Sequence, residues 1–394
     1  MYKKKLWTKN FIGITVISFL MFLVFYVLLT ALPLYLVGTL HTGTDKVGLA
    51  VTLFFLAGIM VRPFVGQWVI IYSLKGILIY SAIGFFGATL LYPFITNIWA
   101  LLILRIFHGI TFGIISTIQS TICAEVIPSS RLGEGVSYFS MAMSLAMVFG
   151  PFIALNLANM NAYHAAFVIC IIISAANIVL AMQIKIPTKE ISIPPSGKAK
   201  FSFNDLFEKK AAPFALATFI LACAYSGVST YLALYAKELG LAKSASYFFI
   251  VYAVAILISR PFTGRWSDKF GTKVIVYPSL ILFAVGMFLL SQAHTSAILL
   301  IAGAVIGLGY GSLTPLFQAQ TINSVERHRV VTANSLFFNS MDGGMAMGSY
   351  AFGIVASGAG YSSIYGAGVM LIVVAGLQYF ALTQKKIVEQ ASSI

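Results

Sequence analysis

The stretch RPFVGQW at residues 62–68 returns as RPFTGRW at residues 260–266, so five of its seven letters recur after a shift of 198 positions. The same shift pairs Gly109 with Gly307, Gly113 with Gly311, Arg131 with Arg329, and Gly150 with Gly348. A single register held over about 90 residues indicates an internal repeat rather than a chance match. The chain is therefore predicted to consist of two halves with the same fold.

Composition places both halves in a lipid bilayer. Of the 394 residues, 59% are hydrophobic and only 9% are charged, a balance far outside the range of globular proteins. A soluble protein of this size needs a charged surface, which 25 basic and 11 acidic residues cannot supply. Water-soluble enzymes are therefore excluded, and an all-α integral membrane protein is predicted.

Twelve apolar runs are long enough to span the membrane, because a helix needs about 20 residues to cross roughly 30 Å of hydrocarbon. The predicted spans cover residues 11–37, 48–69, 76–96, 98–124, 136–157, 163–184, 213–235, 246–264, 274–292, 296–320, 331–356 and 362–383. One long loop, residues 186–212, is a predicted cytoplasmic linker between a first bundle at 1–185 and a second at 213–394. Six spans return the chain to the same face, so the bundles are expected to be parallel repeats.

The basic residues favour a topology in which both termini are cytoplasmic. Lys and Arg collect in cytoplasmic loops, and with a cytoplasmic N-terminus all of them fall there except Lys46, Lys237, Lys243 and Arg105. The net charge of +14 is therefore interpreted as a signal of orientation and not of nucleic-acid binding. We expect a monomeric, multi-pass protein of the cell membrane, surrounded by lipid.

A further motif begins at the glycine of the second heptapeptide and continues into the following loop. In the second half, a glycine, three residues, an aspartate and then glycine and basic residues are present as Gly264, Asp268, Lys269, Gly271 and Lys273. On this motif the chain resembles the major facilitator superfamily, over essentially its whole length. The resemblance implies two parallel six-helix repeats, and a motif that holds cytoplasmic helix ends together in the outward-facing state. In the first half, Gly66 is followed by Ile70 where the family has the acid.

Two other motifs indicate which branch of the superfamily the chain resembles. The fourth predicted span is similar to an arginine, polar, glycine pattern of the family, with Arg105, His108, Gly109 and Gly113. The fifth contains Gly150-Pro151, similar to the glycine-proline motif of exporters. The resemblance therefore favours the drug:proton antiporter branch, and it implies transport by alternating access.

Asp342 is the most costly side chain in the predicted spans. It lies about 11 residues into its span, roughly 16 Å from the start of the helix and near the middle of the bilayer. A charge there costs at least about 2.5–3.5 kcal/mol unless it is paired, hydrated or protonated. The functional interpretation is alternate binding of a proton and a cationic substrate; the structural one is a hydrogen-bonded support for close packing at Gly343 and Gly344. The repeat-related residue is Ser144, so packing alone does not require an acid.

Arg105 is the one basic residue in the predicted spans away from the helix ends. The resemblance implies a role in proton coupling or in balancing an anionic substrate, shared with His108 one helical turn away. The alternatives are that Arg105 snorkels outward or clamps backbone carbonyls, and that His108 is a satisfied core imidazole.

A larger group at the helix ends is interpreted as conformational machinery. Glu125 ends the fourth span near the expected positions of Arg62 and Arg131, which favours a structural ion-pair network over a proton relay. Asp268 and its basic neighbours are expected to bias a two-state equilibrium by a few kcal/mol. The complete group is Arg62, Gly66, Glu125, Arg131, Gly150, Pro151, Arg260, Gly264, Asp268 and Lys273.

Seven polar or aromatic residues lie in spans that line the central cavity in the family: Tyr26, Gln119, Tyr225, Tyr231, Tyr310, Gln318 and Asn339. Because aromatic residues make up 14% of the chain, packing or contact with lipid is the alternative for each of them. An aromatic cavity with one buried acid would suit amphipathic or cationic compounds.

Motifs for other energy sources do not occur in the sequence. It contains neither a phosphate-binding loop nor an HExxH helix, and its three cysteines lie within apolar runs, so no cofactor or metal is predicted. An ion gradient is therefore the expected driving force, with protons favoured. The leading hypothesis is proton-coupled export of small amphipathic or cationic molecules. The alternatives are export of a dedicated polar metabolite or metal chelator and, from another class, a membrane enzyme or lipid scramblase.

Overall fold

Helices account for the regular structure. The computed structural model describes residues 5–128, 131–186, 210–325 and 330–391, and these ranges contain no strand. In chain order the helices are α1 (Lys9–Gly38), α2 (Thr44–Ile71), α3 (Leu74–Leu91), α4 (Ile98–Val126), α5 (Leu132–Asn159), α6 (Tyr163–Gln183), α7 (Ala212–Glu238), α8 (Ala242–Phe270), α9 (Lys273–Ser291), α10 (Ser296–Asn323), α11 (Val330–Ala359) and α12 (Tyr361–Ala391). The predicted all-α fold is confirmed. Most of the predicted linker, residues 187–209, lies outside the described ranges.

Eleven of these helices are long and apolar enough to cross a membrane by length and composition, within the described residues. α11 is not among the eleven although it has 30 residues. Its interior contains Asn339, Asp342 and several glycines, which lower its hydropathy. The helix that fails the apolar criterion is thus the one that carries the predicted intramembrane acid.

Side chains at the N-termini explain where several helices begin. Thr8, Ser73, Asn97 and Thr295 each accept a hydrogen bond from a backbone N–H in the first turn of the following helix. A helix leaves its first N–H groups without an intrahelical partner, and short polar side chains satisfy them. Between α3 and α4 the chain forms a 3₁₀ turn, Tyr92–Phe94, with Pro93 near its start.

The chain divides into two compact units. The first comprises Met1–Thr42 and Leu53–Ala199, and the second comprises Gly43–Thr52 and Lys200–Ile394. Gly43 and the first nine residues of α2 therefore belong to the second unit, although the sequence analysis placed them in the first bundle. Two hydroxyl groups explain this assignment: Thr44 Oγ1 donates to the carbonyl of Gly353 at 3.0 Å, and Thr52 Oγ1 donates to that of Ala346 at 2.6 Å.

Each unit contains the same glycine seam between its second and fourth helices. In the first unit, Gly109 packs against the backbone of Phe54 and Gly113 against that of Gly58. In the second, Gly307 packs against Tyr252 and Gly311 against Ile256. The shift of 198 residues found in the sequence converts each first-unit contact into its second-unit counterpart. The repeat is thus a repeat of helix contacts in one register, as expected for small residues that bring membrane helices close together.

The first and fifth helices of each unit meet in a similar way. Gly150 of α5 packs against Tyr26 of α1, and Gly348 of α11 packs against Cys223 and Ser226 of α7. Gly150 and Gly348 are again 198 positions apart. These two seams position Tyr26 in the first unit and the neighbourhood of Asp342 in the second.

The two halves are expected to differ in how well their α2–α4 and α8–α10 seams tolerate a methyl group. A Cβ at Gly113 would lie 2.6 Å from the carbonyl oxygen of Gly58, which is backbone, whereas the atoms nearest to a Cβ at Gly311 belong to the side chain of Ile256. We predict that Gly113→Ala lowers the free energy of unfolding by about 1–3 kcal/mol, and that Gly311→Ala lowers it less. Thermal unfolding of the purified variants in detergent measures this difference.

Gly87→Ala is the matched control, because no atom lies within 4 Å of a Cβ at that position. If Gly113→Ala unfolds at the same temperature as Gly87→Ala, the close approach of α2 and α4 is contradicted.

Candidate substrate and proton-coupling sites

Arg105 lies inside the first unit. Its residue exposure is 1%, and Nη1 donates a hydrogen bond to the hydroxyl of Tyr92 at 3.2 Å. The guanidinium carbon lies 4.1 Å from the centre of the Phe54 ring, a cation-π distance. A planar guanidinium can stack on a ring and donate sideways at the same time, which a lysine ammonium cannot do. Arg105 therefore does not snorkel outward.

His108, one turn farther along α4, shares the same tyrosine. Its Nδ1 lies 3.0 Å from the Tyr92 hydroxyl, and its ring packs against Phe85 with 4.4 Å between ring centres. His108 is 1% exposed, and within the described part of the chain its Nε2 has no hydrogen-bond partner. An unsatisfied buried polar atom costs about 1–3 kcal/mol, so it calls for an explanation.

Tyr92 connects two residues that the sequence had paired only by helical spacing. It was absent from the predicted site. Its position in the sequence could have indicated a role, because Tyr92 directly precedes Pro93 at the end of an apolar run. The structure places it in a turn that packs against the next helix. In the second unit, the positions that correspond to Arg105, His108 and Tyr92 are Gly303, Ile306 and Leu290, so the cluster is not repeated.

Gln119 also lies within the first unit. It is 0% exposed, and its Oε1 accepts a hydrogen bond from Ser18 Oγ at 2.8 Å, which joins α4 to α1. Among the described residues its Nε2 has no partner. In this structure Gln119 therefore contributes to helix packing. Tyr26, on α1, is half-buried beside Phe25, with 4.8 Å between the ring centres.

Asp342 is buried in the middle of α11. It lies twelve positions after Val330 and seventeen before Ala359, and it is 7% exposed. Gly344, two residues later, packs against the carbonyl oxygen of Phe219 and so brings α11 close to α7. Asn339 lies one turn before Asp342 and is half-buried.

An aromatic stack lies in the same unit as Asp342. The rings of Tyr225 and Tyr310 are parallel within 7° with 4.1 Å between their centres, and Tyr252 continues the stack at 6.0 Å from Tyr225. Phe283 packs against the other side, 5.1 Å from Tyr310. Tyr225 and Tyr310, two of the predicted cavity residues, are thus brought together by α7 and α10.

Tyr231 has a structural role in this structure. It is 0% exposed, and its hydroxyl donates to the backbone carbonyl of Ser349 at 2.6 Å. The hydroxyl oxygens of Thr230 and Ser349 lie 3.1 Å apart and form a second hydrogen bond. These contacts lie at a π-helical turn, Gly227–Tyr231, that interrupts α7. Such turns are frequent at functional sites because they change the direction of neighbouring side chains. Gln318, on α10, is half-buried.

The residues predicted to be conformational are only partly described. Arg62 and Arg131 are half-buried, Glu125 and Lys273 are exposed, and Pro151 lies within α5. Among described residues no ion pair joins Glu125 to Arg62 or Arg131, and the ion-pair network at these helix ends stays a prediction. The surroundings of Gly66, Arg260, Gly264 and Asp268 lie outside the described side chains, and Arg329 lies outside the described residues.

An apolar groove of about 410 Å³ lies between α2 and α4 in the first unit. Leu53, Met60, Phe64 and Ile106 are among its lining residues, and it contains none of the predicted site residues. Its exposed apolar lining is that of a lipid-facing surface. The described residues include no group of three or more His, Cys, Asp or Glu that could hold a metal ion.

Comparison with known proteins gives a consistent assignment. A sequence profile of the Major Facilitator Superfamily matches residues 14–349 and again 214–393. An uncharacterised MFS-type transporter of Methanocaldococcus jannaschii is 27% identical, with 86% of this chain and 89% of the relative covered. Multidrug resistance protein MdtG of a Rahnella species is 24% identical, with coverage of 96% and 95%. The staphylopine export protein of Staphylococcus aureus is 22% identical, with coverage of 85% and 86%.

Solved structures agree on the fold. A bacterial homolog of the human lysosomal transporter Spinster superposes with a TM-score of 0.79 at 14% identity, covering 97% of this chain and 98% of that one. A mutant of the nucleoside transporter NupG superposes with a TM-score of 0.77 at 14% identity, covering 95% and 99%. Together with the profile match over most of the chain, these similarities show that the chain belongs to the Major Facilitator Superfamily and is a multi-pass membrane transporter rather than an enzyme.

Proposed function

We propose that this transporter exports small amphipathic or cationic compounds in exchange for protons. The observation that carries the proposal is the burial of Asp342 in the middle of α11, at 7% exposure. A charged carboxylate in the middle of a membrane helix costs free energy, and ionisable residues at such positions usually have a functional role. Protonation and binding of a cationic substrate both neutralise the Asp342 carboxylate, so the proton and the substrate compete for it. This competition couples the movement of one to the opposite movement of the other, which is antiport.

The other two residues of the proposed coupling set lie in the first unit. Arg105 supplies a fixed positive charge, because a guanidinium stays protonated in proteins. His108 is its hydrogen-bonded neighbour through Tyr92. In this proposal Arg105 keeps a permanent positive charge, whereas protonation of Asp342 removes a negative one, so a single proton changes the net charge of the coupling set.

The aromatic stack supports the substrate class. Tyr225, Tyr252 and Tyr310 are held face to face in the unit that contains Asp342. Aromatic faces attract cations and bury apolar surface, which suits an amphipathic cation better than a sugar or an anion. The name of one relative, multidrug resistance protein MdtG, agrees with this class.

Export of one dedicated polar metabolite or metal chelator is the second candidate. The buried Arg105 favours it, because a guanidinium binds carboxylates through directed, charge-assisted hydrogen bonds. One relative is named for the export of a single compound, staphylopine. Overexpression separates the two candidates: resistance to several unrelated cationic dyes supports the first, and secretion of one metabolite without such resistance supports the second.

The conformational residues and the topology complete the proposal. The distribution of Lys and Arg supports cytoplasmic termini, and residence in the cell membrane is part of the proposal. The group that includes Arg62, Arg131 and Asp268 is proposed to bias the inward and outward states. Labelling of single cysteines placed at the two termini, from each side of the membrane, tests the topology.

We predict that Asp342→Asn abolishes proton-driven transport. The substitution keeps the size of the side chain but removes the group that titrates, so an imposed pH gradient can no longer drive substrate movement. Uptake into proteoliposomes, with the gradient and without it, is the measurement. In the variant both values should equal the gradient-free value of the wild type.

Asp45→Asn is the matched control, because Asp45 is an acid whose side chain is 46% exposed at the start of α2. It should retain the response to the gradient. An Asp342→Asn protein that still follows the pH gradient removes Asp342 from the coupling mechanism.

A second prediction concerns the aromatic stack. Tyr310→Leu removes one face of the closest ring pair and should weaken binding of a cationic dye about two- to thirtyfold, the range that corresponds to one cation-π contact. An uncharged dye of similar size should lose less. Tyr379→Leu is the control, because Tyr379 is also buried in the second unit but packs against Tyr277 and Phe317. Equal losses for both dyes would contradict recognition of the cation by this stack.

A further inference from the structure

The hydroxyl of Tyr92 lies between Arg105, which can only donate hydrogen bonds, and His108, which can donate or accept them. Arg105 Nη1 donates to it at 3.2 Å, and His108 Nδ1 lies 3.0 Å from it. A guanidinium has no acceptor atom, so the direction of the first bond is fixed. The direction of the second depends on which nitrogen of His108 carries the proton.

Counting partners selects one direction. If Tyr92 donates to Nδ1, the tyrosine proton and the Nδ1 lone pair are both satisfied, and only the N–H at Nε2 remains without a partner. If Nδ1 carries the proton and donates to Tyr92, the hydroxyl proton loses this acceptor, and the lone pair on Nε2 has no hydrogen-bond donor among the described residues. The first arrangement leaves fewer unsatisfied buried groups, which are the costly ones.

The surroundings of His108 oppose a second proton on its ring. Among the described residues, the charged and titratable groups that face it are Arg105 on its own helix and Tyr92 on the 3₁₀ turn, and Cys170 of α6 lies near Tyr92. α2 and α3 contribute only the rings of Phe54 and Phe85. A protonated imidazole would therefore lie beside a guanidinium in a buried site, where both residues are 1% exposed and like charges repel more strongly than in water.

We infer that Tyr92 is a positioning residue that holds His108 as a neutral hydrogen-bond donor, protonated at Nε2, and that His108 does not carry the coupled proton. This inference rests on the proposed function and refines it: Arg105 provides the fixed charge, His108 presents a buried donor, and the titrating group is Asp342 alone. The donor at Nε2 is then available to a hydrogen-bond acceptor of the substrate.

Nitrogen NMR tests the inference without reference to transport. The chain has five histidines, so ¹⁵N-histidine labelling of the whole protein in lipid nanodiscs, compared with His108→Gln, identifies the signal of His108. We expect the pattern of a neutral ring protonated at Nε2, unchanged between about pH 5 and pH 8, the range in which histidine ordinarily titrates. Tyr92→Phe should move the Nδ1 signal toward that of a nitrogen without a hydrogen bond.

Transport measurements test the role. His108→Gln cannot carry a proton but remains a hydrogen-bonding group, so it should keep the proton-to-substrate ratio of the wild type. Tyr92→Phe should lower the rate roughly three- to tenfold, the effect of one lost hydrogen bond, with the same ratio. In the double variant the rate should be no lower than that of the more affected single variant, because Tyr92 acts through His108.

Tyr35→Phe is the control for the loss of a buried hydroxyl in this region. The Tyr35 hydroxyl lies 3.5 Å from the carbonyl of Ile95, and its ring packs against Phe167, which also stacks on Tyr92. This variant should keep both the rate and the NMR pattern of His108.

Three results would overturn the inference: a His108 ring that becomes doubly protonated in the titration, a His108→Gln protein that loses proton coupling, or a Tyr92→Phe protein with wild-type rate and spectrum. Failure of the proposed function is a different result. If the wild type shows no transport driven by a pH gradient, antiport is refuted, while the NMR pattern still decides the state of His108.

Discussion

Hydrocarbon offers no hydrogen-bond partner, so every polar group inside this protein has to be satisfied within its own helix bundle. The constraint is visible at several buried polar side chains of the described chain. Arg105 and His108 share the hydroxyl of Tyr92, Gln119 bonds to Ser18, and Tyr231 bonds to the backbone of α11. His108 Nε2 is one of the buried atoms that remain without a hydrogen-bond partner among the described residues.

The repeated backbone carries different chemistry in its two halves. The glycine seams of α2–α4 and α8–α10 have the same register, because they depend on residues without side chains. The positions around them have diverged: Arg105 corresponds to Gly303, and Ser144 corresponds to Asp342. One half therefore holds a buried cation and its tyrosine, and the other holds a buried acid and an aromatic stack. The proposed exchange of a proton for a cation assigns the titrating group to the second half.

The sequence predicted the fold better than the site. Helix positions followed from apolar length, which is a local property, and the repeat followed from identical letters at one spacing. Tyr92 was missed because its contact with Arg105 depends on a turn that folds back against α4. Gln119 and Tyr231 were predicted to line a cavity from their spans, which could not show that each bonds to a neighbouring helix. The expected ion pairs of Glu125 with Arg62 and Arg131 stay a prediction.

The sequence by itself determined that this protein is an α-helical membrane protein with two like halves, and that it keeps a few costly polar groups in the bilayer. Those properties depend on composition, length and spacing, which are one-dimensional. Only the tertiary structure decided which polar groups meet, because partners such as Ser18 and Gln119, or Tyr225 and Tyr310, are separated by some 100 and 85 residues. Their distances are set by glycine seams that bring helices to within van der Waals contact, and no local pattern encodes the rotation of one helix against another.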